Sequence, residues 1–129
     1  MKKYTCTIVF LVLTLPFSLY NCGGLFQGIE GQVNGDWKLT VHCGQDANYE
    51  ETWTFRKDKS FKKTYEGKII EDNATWGIDE DGEYLVISYE NEGKEDYRAE
   101  IVQISLEELW LESTDPAGRI CENRFEKKF

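Results

Sequence analysis

Histidine is nearly missing from this chain, since His42 is the only one among 129 residues. Ser-His-Asp and Cys-His catalytic sites both need a histidine that can move protons. Adjacent carboxylates such as Glu107 and Glu108 point to opposite faces of a strand, so they do not form an acid–base pair. We therefore predict that the protein is not an enzyme.

Metal-binding patterns are missing as well. Neither Cys43 nor Cys121 has a second cysteine or a histidine at the spacing of a zinc site. The acidic run 79–83 offers carboxylate oxygens of the kind that calcium prefers, but it lacks the spacing of an EF-hand loop. A solvated hairpin tip is the simpler interpretation of this run. We expect neither a metal ion nor a cofactor.

Basic residues are outnumbered, with 15 Lys and Arg against 24 Asp and Glu and a net charge of −9. Without Lys2 and Lys3, 13 basic side chains remain against 24 acidic ones, a net charge of −11. Such a surface repels phosphate groups. We therefore expect no nucleic-acid partner.

Long hydrophobic runs are also missing, apart from the apolar segment from Ile8 to Leu15. Lysines precede this segment and Leu19-Tyr20-Asn21-Cys22 follows it, which is the layout of an export signal and is short for a transmembrane span. The Leu-x-x-Cys ending resembles the lipobox of bacterial lipoproteins, where the cysteine receives acyl chains such as palmitate. We predict a signal peptide over residues 1–21 and lipidation of Cys22. Ordinary secretion with Cys22 as a plain thiol is the alternative.

The lipobox resemblance implies an anchor in the bacterial outer membrane, on its periplasmic or its surface face. The glycine-rich residues 22–34 are predicted to be a flexible tether. Cys6 would leave with the leader and Cys22 would carry the lipid. Cys43 and Cys121 then remain in an oxidising compartment, where we expect them to form a disulfide.

From residue 35 onward the sequence alternates between apolar and polar residues and shows no trustworthy helical period. We predict eight strands, at 37–43, 51–56, 61–70, 74–78, 84–90, 96–104, 109–113 and 119–129. Lys62 and Lys63 are expected on a solvated outer face. Short connections imply an antiparallel meander, and closure into a barrel would remove its exposed edges. The fold prediction is therefore an all-β, eight-stranded antiparallel up-and-down barrel over residues 35–129, in a monomer.

The two cysteines allow the register at the closing seam to be predicted. In an antiparallel pair the numbers of facing residues have a constant sum. If Cys43 faces Cys121, Leu39 lies opposite Phe125 and Trp37 lies opposite Lys127. Apolar residues then meet across the seam, which is compatible with closure.

The opening Gly35-Asp36-Trp37-Lys38-Leu39 resembles the first strand of the lipocalins. With Trp53, Trp76-Gly77-Ile78 and Leu109-Trp110-Leu111, the domain is similar to the short lipocalin-like lipoproteins of Bacteroidetes-type bacteria. The resemblance implies that Trp37, following Gly35, packs across the closed end of the barrel. It also implies a basic residue over Trp37; Lys127 suits the register, whereas the arginine common in the family would be Arg124.

Aromatic residues supply the best candidates for a ligand site. Interior positions of the barrel are assigned to Trp53, Phe55, Phe61, Tyr65, Trp76 and Tyr89. These side chains either line a pocket for a small hydrophobic ligand or fill the core. We expect a membrane-anchored barrel that binds such a ligand. The alternative is a protein-binding module of the cell envelope, such as a lysozyme inhibitor, which a solid interior with an exposed surface patch would favour.

Overall fold

The computed structural model describes residues 28–91 and 93–129. Cys22 and the signal peptide predicted for residues 1–21 lie outside the described residues. The described strands are β1 (Gly35–His42), β2 (Gln45–Asp46), β3 (Glu51–Phe55), β4 (Ser60–Tyr65), β5 (Lys68–Ile78), β6 (Tyr84–Tyr89), β7 (Tyr97–Ile104), β8 (Glu108–Thr114) and β9 (Ile120–Lys128).

These strands form one antiparallel sheet in the order β2-β1-β3-β4-β5-β6-β7-β8-β9, and β1 also pairs with β9. The pairing of β1 with β9 closes eight strands into a barrel. The two-residue β2 lies outside this barrel, against the end of β1. Short connections between amphipathic strands allow each strand to pair with its successor, as a meander requires. The predicted eight-stranded antiparallel barrel is confirmed.

The closing seam has the predicted register over its first half. Trp37 lies opposite Lys127 and Leu39 opposite Phe125. The register then shifts by one residue, so that Val41 lies opposite Arg124 rather than Asn123. A β-bulge adds a residue to one strand of a pair and produces such a shift.

The hairpin between β4 and β5 differs from the prediction. The predicted strand extends to Ile70, and the predicted turn lies at residues 71–73. The turn instead lies at Glu66 and Gly67, whose φ values of 49° and 81° are those of a two-residue hairpin. Residues 71–73 therefore belong to β5, where further register shifts place Glu71 opposite Lys63.

The barrel interior holds the core, and a short helical segment covers one end of it. Residues 28–33 are helical, although they belong to the segment expected to be a tether. Val33 is fully buried, and its carbonyl accepts a hydrogen bond of 2.7 Å from Trp37 Nε1. Burial of Val33 against Trp37 explains why this part of the segment is ordered. No helix in the described part of the chain is long and apolar enough to cross a membrane.

Candidate functional site

The helix-covered end of the barrel is closed by Trp37 and Lys127. Lys127 Nζ lies 4.6 Å from the centre of the Trp37 ring and donates to the carbonyl of Asn34. Burial lowers the pKa of Lys127, although the charge of Asp36 acts in the opposite direction. A Cβ on Gly35 would lie 2.6 Å from Lys127 Nζ, and Gly35 has a φ of 126°. This end is therefore a tightly fitted cap.

Arg124, the other basic candidate for the cap, lies elsewhere. Its guanidinium is 4.0 Å from the centre of the Trp110 ring, and its Nε lies 2.9 Å from a Glu122 carboxylate oxygen. The residue over Trp37 is therefore Lys127, and not the arginine that the resemblance also allowed.

The middle of the barrel is occupied by aromatic rings in mutual contact. The Trp53 ring lies 4.8 Å from that of Phe125 and 5.4 Å from that of Tyr97, measured between ring centres. Trp53 is on β3 and Tyr97 is on β7, which face each other across the eight-stranded barrel. The edge-to-face contact of Trp53 and Tyr97 therefore spans the barrel axis. We call this pair the floor.

Four of the six predicted ligand-binding residues lie in this packed core, namely Trp53, Phe55, Phe61 and Trp76. The Phe55 ring is 5.1 Å from that of Phe61 and 5.4 Å from that of Trp76. These contacts favour the alternative of a filled core, because the rings pack on one another instead of lining an open space.

Tyr65 and Tyr89 are not among the buried core residues, although Tyr89 packs against them. Tyr65 is 41% exposed and packs against Tyr49 with ring centres 5.4 Å apart, so it does not belong to the buried core. Tyr65 is the last residue of β4 and precedes the turn at Glu66 and Gly67, so its ring reaches solvent at the barrel end. Tyr89 is half-buried, and Lys94 Nζ lies 4.1 Å from the centre of its ring.

Polar side chains gather above the floor, at the barrel end opposite the cap. We call this cluster the mouth and define it by Glu51, Lys63, Glu71, Tyr89, Lys94 and Asn123. The mouth joins an aromatic base to four charged groups, a combination suited to holding an amphipathic molecule.

Lys63 is the central group of the mouth. It shares the inner face of β4 with Phe61, so its predicted place on the outer face is wrong. Its Nζ lies 4.5 Å from the centre of the Trp53 ring. Among the described residues it makes no hydrogen bond or ion pair. Burial lowers the pKa of Lys63, and the charges of Glu51 and Glu71 only partly oppose this effect.

Glu71 lies beside Lys63 and already has hydrogen-bond donors. Its side chain is 14% exposed, and its carboxylate accepts from Lys94 Nζ at 3.1 Å and from the Asn73 amide at 3.2 Å. Burial raises the pKa of Glu71, but these hydrogen bonds and the two lysine charges together lower it below its usual value. Glu71 is therefore ionised at neutral pH.

Tyr89 and Tyr97 contribute hydroxyl groups that stay protonated. Burial, followed by the charge of Glu71, raises the pKa of Tyr89 to about 12. Burial also raises the pKa of Tyr97, although its oxygen accepts a hydrogen bond of 3.4 Å from Asn123 Nδ2. Both tyrosines are consequently neutral hydrogen-bond donors.

Asn123 connects the mouth to the disulfide. Cys43 and Cys121 are bonded, which confirms the predicted pairing. Asn123 is buried, and its Oδ1 accepts from His42 Nδ1 at 2.8 Å and from the Cys43 amide at 3.4 Å. His42 is therefore an exposed strand residue whose ring takes part in this network. The atoms of His42, Cys43 and Cys121 lie close together, but the bonded sulfurs are not available to a metal ion.

Comparison with known families assigns the fold. The sequence profile of the Lipocalin-like domain matches residues 33–111, more than half of the chain. The chain belongs to the lipocalin-like domain family. This lipocalin-like match begins at Val33, the residue that covers the cap, and includes Lys63, Glu71 and Tyr89 of the mouth. The lipocalin-like fold is generally a binding fold and not a catalytic one. Comparison with curated proteins gave no matching relative.

The sequence contained one indication of which residues line the mouth of the lipocalin-like barrel. Lys63 is two residues from the buried Phe61, so strand periodicity alone assigns it to the interior. Glu71 carried no such signal, because its orientation depends on the irregular pairing of β4 with β5.

Proposed function

We propose that this protein is an exported, non-enzymatic lipoprotein, anchored to the bacterial outer membrane through Cys22, whose barrel binds a small molecule at the mouth. The observation that carries the proposal is the half-buried ammonium of Lys63, which faces the Trp53 ring and has no hydrogen-bond partner among the described residues. A buried charge without a partner destabilises a fold, so a bound molecule that pairs with it is the natural complement.

The floor limits how deeply the proposed ligand can enter the barrel. Because the rings of Trp53 and Tyr97 meet across the axis, the space beneath them belongs to the packed core. A ligand therefore rests on these rings and does not thread through the barrel. This supports the proposal that the expected small hydrophobic ligand binds at the mouth, with its apolar part buried to a limited depth.

The disulfide supports export. Disulfides persist in oxidising compartments such as the bacterial periplasm and are rare in the cytosol. The bond between Cys43 and Cys121 is consistent with a protein that is translocated by a leader over residues 1–21 and then lipidated at Cys22.

Native mass spectrometry of the protein purified from the membranes of its host tests both parts of the proposal. We expect a chain that begins at Cys22 and carries acyl chains, together with a retained small molecule. The Lys63→Met variant should keep the acyl mass and lose the small molecule. A chain without acyl mass would overturn the anchor, and an unliganded wild-type protein, or full retention by Lys63→Met, would overturn binding at the mouth.

A protein partner is the second candidate, and one observation favours it. The hairpin of β4 and β5 presents three exposed apolar side chains, Tyr65, Ile69 and Ile70, which are 41%, 57% and 53% exposed. Exposed apolar side chains concentrated in one hairpin are a common feature of protein-binding surfaces. Lysozyme inhibition that is lost in Ile69→Asp/Ile70→Asp and kept in Lys63→Met would favour this function over ligand binding.

A further inference from the structure

The mouth has a specific shortage of hydrogen-bond acceptors. Glu51 accepts a hydrogen bond of 2.6 Å from Trp53 Nε1, and Glu71 accepts from Lys94 and the Asn73 amide. Two donors, Lys63 Nζ and the Tyr89 hydroxyl, have no hydrogen-bond partner among the described residues. A ligand that satisfies the mouth must therefore bring acceptor oxygens.

The charges of the mouth limit the charge of that ligand. Lys63 and Lys94 face Glu51 and Glu71, Asp96 adds a further negative charge near Tyr89, and Lys94 is already paired with Glu71. Only Lys63 remains free to bind an anion. A doubly charged phosphate would place its second negative charge near Glu51 and Glu71 without a further cation to offset it. A single negative charge fits better.

The floor limits the size of the apolar part. Trp53 is 4% exposed and contacts rings on several strands, so a long acyl chain has no path along the axis. Tyr49 packs partly against the core and extends the aromatic surface towards the rim, where it meets Tyr65. A compact ring system can contact the partly buried rings of Tyr97 and Tyr49 through offset or edge-to-face packing, whereas Trp53 beneath them is covered.

We propose that the mouth binds small carboxylic acids with a compact apolar body, their carboxylate held by Lys63 and the Tyr89 hydroxyl and their apolar body resting on the floor. This inference depends on the proposed function, in that it assumes ligand binding at the mouth. It adds the chemical class of the ligand and the two residues that select it. A charge-assisted hydrogen bond to Lys63 is the strongest single contact in this arrangement.

Titrations followed by nuclear magnetic resonance test the inference with matched pairs of acids and amides. The probes are benzoate, 1-naphthoate and indole-3-acetate, each compared with its primary amide, and palmitate serves as the long-chain comparison. We expect the aromatic acids to shift the resonances of Trp53, Tyr89 and Tyr97, and to bind at least tenfold more tightly than their amides. Lys63→Met should remove this preference, and Tyr89→Phe should reduce it. The matched control Lys62→Met, which changes the neighbouring lysine, should leave it unchanged.

The possible results separate the two proposals. Amides that shift the mouth resonances as strongly as the acids, or an acid preference that survives in Lys63→Met, would overturn the carboxylate inference and leave ligand binding at the mouth intact. Tighter binding of palmitate than of the aromatic acids would also overturn it. If no probe perturbs the mouth, both the inference and the proposed binding function fail.

Discussion

Lys63 places its ammonium group 4.5 Å from the centre of the Trp53 ring, on the inner face of the barrel. Trp53 is held by the hydrogen bond of its Nε1 to Glu51 and by ring contacts with Phe125 and Tyr97. The aromatic face gives the cation some electrostatic stabilisation but supplies no hydrogen-bond acceptor. The contact therefore holds a positive charge beside the packed core, where a ligand can pair with it.

Replacement of Lys63 should stabilise the protein. Lys63→Met removes an ammonium group that burial disfavours and keeps an apolar side chain over Trp53, so we expect the free energy of unfolding to rise by about 1 kcal/mol. Urea denaturation at pH 7 measures this change. Lys62→Met should change the same quantity by less than about 0.5 kcal/mol. A clear loss of stability in Lys63→Met would show that the lysine supports the fold.

Gly35 should be among the least replaceable glycines. An alanine there would combine an unfavourable φ of 126° with a Cβ 2.6 Å from Lys127 Nζ, so we expect Gly35→Ala to cost about 2 kcal/mol. The control is Gly77→Ala, because a Cβ at Gly77 meets nothing within 4 Å. Adding Lys127→Ala to Gly35→Ala should recover only the steric part of the loss. Equal stability of the two single alanine variants would contradict this account of the cap.

The disulfide should contribute strongly to stability. It joins residues separated by 78 positions, and closing a loop of that size is worth about 4 kcal/mol in the chain-entropy model. We expect Cys43→Ser/Cys121→Ser to unfold at a lower urea concentration than the wild type. Reducing agent should shift the midpoint of the wild type in the same direction and leave that of the double variant unchanged. A reductant-sensitive midpoint in the double variant would point to another thiol.

Glu71 should make stability depend on acid pH. Its pKa in the folded protein is lowered, so its ionised form stabilises the fold at pH values above its ordinary pKa of 4.5, and this contribution is lost as the pH falls through the folded pKa. Because Lys94 is 47% exposed, we expect Glu71→Gln to cost no more than about 1 kcal/mol at pH 7. Denaturation at pH 7, 5 and 3 should show the difference between wild type and variant disappearing in acid. A difference that persists unchanged at pH 3 would exclude an electrostatic origin.

The closed barrel could be predicted from the sequence because two independent features agree on it. Short connections between alternating strands require a meander, and Cys43 with Cys121 gives a register in which Leu39 meets Phe125. The first feature is a local sequence pattern, and the second follows from one covalent bond. The bulge that moves Val41 opposite Arg124 has no such sequence pattern, because it depends on how two distant strands twist against each other.

The residues of the mouth could not be predicted from the sequence in the same way. Glu71-Asp72-Asn73 has the composition of a turn, so the hairpin was predicted there. The turn of the hairpin lies at Glu66 and Gly67 instead. Strand periodicity assigns Lys63 to the interior. The prediction of an outer position follows instead from the general tendency of lysine to face water. The pairing of Glu71 with Lys94 joins residues 23 positions apart and follows from the tertiary fold.

An anionic ligand is proposed to contact Lys63 from the mouth of the barrel. The most direct measurement uses two spin labels of nearly the same shape, 3-carboxy-PROXYL and its neutral amide 3-carbamoyl-PROXYL, and records the paramagnetic broadening of protein resonances. We predict that the acid broadens the resonances of Lys63, Tyr89 and Tyr97 far more than the amide does, and that it leaves Leu109 and Trp37 sharp. Equal broadening by the two labels, or broadening centred on the cap, would contradict the claim.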